Sequence, residues 1–112
     1  MIDPQLGDAL LARARNAIAR DLGGTQVKEP EHPALHQPGA TFVTLTRQGE
    51  LRGCIGSLQA YRPLDQDVRE NARAAAFRDR RFAPLPEGEL ADTRVEVSLL
   101  SLIHISEPTR PY

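Results

Sequence analysis

The chain has no tryptophan, one methionine and one cysteine in 112 residues, and aromatic side chains make up only 4% of it. Its core must therefore be assembled from leucine, valine, isoleucine and alanine, without large aromatic anchors. A single cysteine excludes an intrachain disulfide framework, and the three histidines lack zinc-ligand spacing, so neither a staple nor a metal is expected. No apolar run approaches the roughly 20 residues of a membrane span, and no basic-then-apolar leader opens the sequence. The expected location is the cytoplasm. Net charge is −1, from 14 basic and 15 acidic residues that are interspersed rather than clustered. That balance makes nucleic acid or an anionic membrane an unlikely partner and favours a small molecule or a protein. The length allows one small domain at most.

What is present reads as alternating helical and extended segments. Leu6, Leu10, Ala14 and Ile18 recur at helical spacing, with Leu11 and Leu22 close to the same stripe. Asp3 is the expected N-cap, Pro4 the first helical residue, and Gly23-Gly24 the left-handed stop. Thr25 to Ala40 holds three prolines and no periodicity, and is expected to be a loop; Pro33 between His32 and His36 argues against a helix presenting both on one face. "TFVTLTRQGELRGCIGSL" reads as a hairpin turning at Gln48-Gly49. On its second strand, strict alternation puts Leu51, Gly53 and Ile55 on one face. It puts Arg52, Cys54 and Gly56 on the other, with Arg52 and Cys54 about 6 to 7 Å apart. "RPLDQDVRENARAAAFRDRRF" predicts a second helix of about four turns, whose alanines allow close approach to a sheet. A proline-bearing loop then leads to the strand "RVEVSLL".

Chemistry concentrates in two places. Cys54 stands between Gly53 and Gly56, with Arg52 two residues before it. A thiol becomes a useful nucleophile when a cation or helix N-terminus favours the thiolate, and Arg52 can supply part of that. Glycines in a strand let a ligand or another backbone come close, but they also mark bulges and tight helix contacts, while free cysteine is often a small buried hydrophobe. Both readings stand at this point. In "FRDRRFAP", Arg78, Arg80 and Arg81 surround Asp79; Arg78 and Arg80 suit a helix C-terminus, whereas Asp79 and Arg81 are candidates for a site if the following loop returns to the hairpin. No phosphate-cradling glycine loop, serine-histidine-acid set or paired-carboxylate arrangement is recognisable, and no cofactor is expected.

"LRGCIGSL", with the preceding "GATFVTL" and the following "RPLDQDVRENARAAAFRDRRF", resembles the AMMECR domain family, whose bacterial and archaeal members are called AmmeMemoRadiSam system protein A. The resemblance covers about Pro4 to Leu99. It implies an α+β fold, a mainly antiparallel sheet flanked by helices, and members close to twice this length, so that the domain over residues 1–99 is expected to be incomplete at its C-terminal end. It implies a functional centre at Arg52, Gly53, Cys54 and Gly56. A second signature lies at Asp79, Arg81 and Phe82, where relatives often read Asp-Pro-Arg-Phe and this chain has Arg80 for the proline. Cys54 would be a nucleophile or acyl-type carrier, Arg52 its electrostatic support and anion clamp, and Gly53, Gly56, Asp79 and Arg81 the substrate-binding set. Memo-type and radical SAM proteins are the implied partners, and a non-catalytic interaction module is the rival reading. Residues 100–112 differ in character: Leu100 to Arg110 resemble one reading frame of a sequencing-library adapter, and native sequence is expected to stop near Leu99.

Overall fold

The computed structural model describes residues 3–100. Helix α1, Pro4–Asp21, opens on Asp3, whose carboxylate accepts the Gln5 N–H at 2.9 Å, and closes before Gly23 at φ +73°. Both end signals are local, and both act as expected. Leu6, Leu10, Ala14 and Ile18 form the buried stripe, while Leu11 is 39% exposed and lies outside it. Strands β1, Pro38–Arg47, and β2, Glu50–Gly56, form the hairpin. Gln48 and Gly49 both have positive φ, +54° and +82°, which matches the twist of a two-residue hairpin turn.

Two boundaries differ from expectation. The loop after α1 ends at Gln37 rather than Ala40, with a short 3-10 turn at Pro33–His36, because Pro38 and Gly39 pair with a two-residue strand β3, Arg62–Pro63. Proline is tolerated there as the first residue of a strand. Helix α2 runs over Leu64–Phe77, so Arg78 to Phe82 belong to the connection that follows. Strand β4, Thr93–Leu100, completes an antiparallel sheet in which β1 is central. Strand β1 pairs antiparallel with each of β2, β3 and β4. Leu100 faces Ala40 at the end of β4, and the rest of the adapter-like segment lies outside the described residues. This is an α+β fold, with an open sheet.

Val43 and Leu45 of β1 join the α1 stripe, Leu64, Val68, Leu35 and Leu85 in one core. Both helices pack on that face of the sheet. Ala72, Ala75 and Ala76 bring α2 close, as small side chains allow. Polar side chains fasten the rest. The buried Arg13 donates from Nε to Asp65 at 2.9 Å and from Nη1 to the Pro30 carbonyl at 2.6 Å. Asn16 clasps Val27 through both its backbone groups, and Glu29 receives a two-pronged Arg69 at 2.6 and 2.9 Å. The loop over residues 25–37 is thus held by hydrogen bonds where it lacks apolar contacts. No helix among the described residues is long and apolar enough to cross a membrane.

Candidate functional site

A two-residue turn at Gln48-Gly49 pairs Arg47 with Glu50 and Thr46 with Leu51, and simple continuation would place Cys54 opposite Val43, on the core face. The strand avoids this with one extra residue. Between Thr46 and Leu45 the register slips, so that Leu45 faces Gly53, Thr44 faces Cys54 and Phe42 faces Gly56. Arg52 is the inserted residue of a β-bulge. The strict alternation expected from the sequence therefore fails: Leu51 shares a face with Cys54, and Arg52 drops out of phase. The consequence for the thiol is direct. Cys54 lies on the sheet face away from the helices, half-buried, with its Sγ 3.3 Å from Thr44 Oγ1.

The glycines have separate causes. A Cβ on Gly53 would overlap the Ala75 carbonyl of α2, so this position is where the helix backbone meets the strand. A Cβ on Gly56 would strike the Phe42 ring, which lies across the glycine from the neighbouring strand. The close visitors to this strand are thus a helix backbone and an aromatic ring.

The connection after α2 does return to the hairpin. Asp79, 7% exposed, accepts the Cys54 backbone N–H at 3.0 Å on Oδ2. It also accepts the Arg81 backbone N–H and Nε on Oδ1, at 3.1 and 3.0 Å, and Arg81 Nη2 on Oδ2 at 2.7 Å. The bond from the Arg81 N–H closes an Asx-type turn around Arg80, which positions Arg81 without a proline at that position. Arg81 then reaches the Cys54 carbonyl at 3.5 Å. These hydrogen bonds, those from Arg81 first and the Cys54 N–H next, hold the Asp79 carboxyl well below the ordinary carboxylate range. Arg81 is correspondingly raised, chiefly by its hydrogen bonds to Asp79. The cation held against the Cys54 backbone is therefore Arg81.

Arg52 takes another direction. Its Nε donates to Glu89 at 3.1 Å and its guanidinium lies 5.9 Å from the centre of the Phe82 ring. Arg81 stands over the same ring at 5.4 Å. Phe82 thus connects the two arginines. Arg78 and Arg80 are exposed, and Arg78 lies 3.7 Å from Glu70 on α2.

Three participants escaped the sequence reading: Thr44, Glu89 and Arg47, which meets Glu89 at 3.6 Å. Thr44 follows from the hairpin register once the bulge is counted, and Gly53 is its local mark. Glu89 carries no local signal. Nearby, the buried Asp67 of α2 gathers the Thr41 backbone N–H at 2.7 Å, Ser57 Oγ at 2.6 Å and Arg62 Nε at 2.8 Å, tying the helix to β1 and to the end of β2. No group of three or more metal-ligating side chains converges among the described residues. A shallow cavity of about 240 Å³, lined by Asp21, Arg73, Phe77 and Arg78, contains none of these site residues.

Comparison with known proteins bears on the whole arrangement. The AMMECR1 family model matches residues 11–109. Protein SSO0193 of Saccharolobus solfataricus is 38% identical over 106 residues, covering 89% of this chain and 47% of its own length. A protein of Aeropyrum pernix is 40% identical over 104 residues, covering 88% of this chain and 45% of its own length. The crystal structure of an uncharacterized protein, PH0010 from Pyrococcus horikoshii, superposes with a TM-score of 0.78 at 34% identity, over 90% of this chain and 53% of that one. The chain spans about half the length of the curated relatives it matches. With the matched family residues running through the hairpin, the bulge and the Asp79 connection, the chain belongs to the AMMECR1 family.

Proposed function

We propose that the Cys54 strand engages a small substrate or modified group bearing an acidic end, with Cys54 as nucleophile or acyl-type carrier. The supporting observation is the clasp in which Asp79 holds both the Cys54 backbone and the Arg81 guanidinium, beside a sulfur that faces away from the core. In the acyl-transfer form, the thiolate attacks the carbonyl carbon, a carbon–sulfur bond forms, and the leaving group departs with the electron pair of the bond it loses. The thiol proton passes to solvent. Arg81 and Arg52 attract the acidic end, and Thr44 Oγ1 is placed to stabilise sulfur before attack. The whole protein acts in the cytoplasm in this reading.

Intact-mass measurement with p-nitrophenyl acetate and mono-p-nitrophenyl glutarate tests it. The expected result is a Cys54 adduct, formed several-fold faster from the glutarate ester, with that preference reduced in both Arg81→Gln and Arg52→Gln. No adduct, or equal rates in the unmodified protein, removes the reading.

A second reading has its own observation. Leu58 and Tyr61, after β2, are 77% and 67% exposed, and Leu51 is also exposed. Large apolar side chains so displayed suit a docking surface, here for Memo-type or radical SAM proteins. Titration of the chain with each partner, with Leu58→Ser and Tyr61→Ser as weakened variants, separates this from catalysis.

A further inference from the structure

Arg47 closes β1 and Arg52 is the bulged residue of β2, so the slipped register brings two guanidinium groups together below the hairpin turn. Both lean on one carboxylate. Arg52 Nε meets Glu89 Oε1 at 3.1 Å and Arg47 Nη1 meets Oε2 at 3.6 Å. Arg52 thus spends a single N–H on Glu89 and Arg47 makes only an ion-pair contact with it, although the guanidinium fork is built to take a carboxylate with two. Arg47 Nε and Arg52 Nη1 are buried and have no acceptor among the described residues. Buried donors are seldom left so, and two on adjacent arginines point to an acceptor that fits better than Glu89 does. Among the described residues the rim adds Asp92, 3.7 Å from Arg47 and mostly exposed. Phe82 forms one wall. Glu89 itself comes from a turn containing Gly88 at φ +102°, not from a packed helix or strand.

We propose that Arg47 and Arg52 form a binding site for a carboxylate group of a small ligand, and that Glu89 occupies it as a built-in competitor. The incoming carboxylate displaces Glu89 and satisfies both forks, including the two orphaned N–H groups. This deepens the reading above, since the acidic end it assigns to the ligand would be held here while the reactive end meets Cys54. Binding is read without thiol chemistry, so an inert Cys54 leaves the measurement intact.

The test is calorimetric titration of the full chain with glutarate, and separately with inorganic phosphate at matched ionic strength. Glu89→Gln is expected to bind glutarate at least about tenfold more tightly than the unmodified chain, because the competing charge is gone. Adding Arg52→Gln to that variant is expected to abolish the gain. Should Glu89→Gln fail to give a cooperative thermal transition, Glu89→Asp withdraws the carboxylate while keeping its charge, and an intermediate gain is expected. Unchanged glutarate affinity in the folded Glu89 variants overturns the proposal. So does phosphate binding equal to glutarate, which would mark a general anion patch.

Discussion

Gly53 shows how one position can answer to two neighbours. It follows the bulged Arg52 and lies against the Ala75 carbonyl, so any side chain there must push α2 from the sheet. Gly53→Ala is expected to cost about 1–3 kcal/mol, at the upper end of that range because the obstacle is backbone. Gly56→Ala meets the Phe42 ring at its root, so the ring must turn about its first side-chain torsion, and the cost is expected toward the lower end of the same range. Urea denaturation of the two variants compares them directly; equal costs would contradict the packing described. Both glycines were visible in the sequence as points of close approach. What approached them was not, because the helix carbonyl and the ring come from segments whose docking no local pattern encodes.

The elements differ in how far their own residues determine them. Helix α1 carries its start and stop signals within itself, and the hairpin carries its turn, so both were legible. The bulge was legible only as a strand glycine, Gly53, that could mark one; its effect on Cys54 was not, and the bulged Arg52 is met by Glu89 and Phe82 from far along the chain. The loop over residues 25–37 is similar, being fixed by Asn16, Arg13 and Arg69 rather than by its own periodicity. Its pH response follows. Glu29 is lowered from 4.5 to about 2, first by its hydrogen bonds from Arg69, and burial only partly opposes this. A carboxyl depressed on folding contributes stability that is complete above its unfolded value and disappears as pH falls from about 4.5 toward 2. Thermal midpoints followed across that interval should fall less steeply in Glu29→Gln than in the unmodified chain. Parallel curves would show that the Arg69 pair does not couple the loop to folding.

At the scale of the molecule, the helices cover one sheet face and leave the other to Thr44, Cys54 and their neighbours, while Asp67 joins α2 to two strands from within. Asp67→Ala strands Arg62, Ser57 and the Thr41 N–H at once and is expected to cost about 3–5 kcal/mol, a large share of the stability of a small domain. Denaturant unfolding measures it, and a loss under about 1 kcal/mol would make the network peripheral. Nothing local marks Asp67 as buried, which is why the sequence revealed the α+β architecture but not the polar joint within it. The position of Cys54 rests on that joint and on the bulge together. Its most direct test is the rate of iodoacetamide alkylation of Cys54 in the folded chain, followed by mass, in the unmodified protein and in Arg81→Gln. Labelling under native conditions is expected, and slower in Arg81→Gln, where the cation held against the Cys54 backbone is gone. Labelling that occurs only after unfolding would contradict the placement of the thiol on the open face.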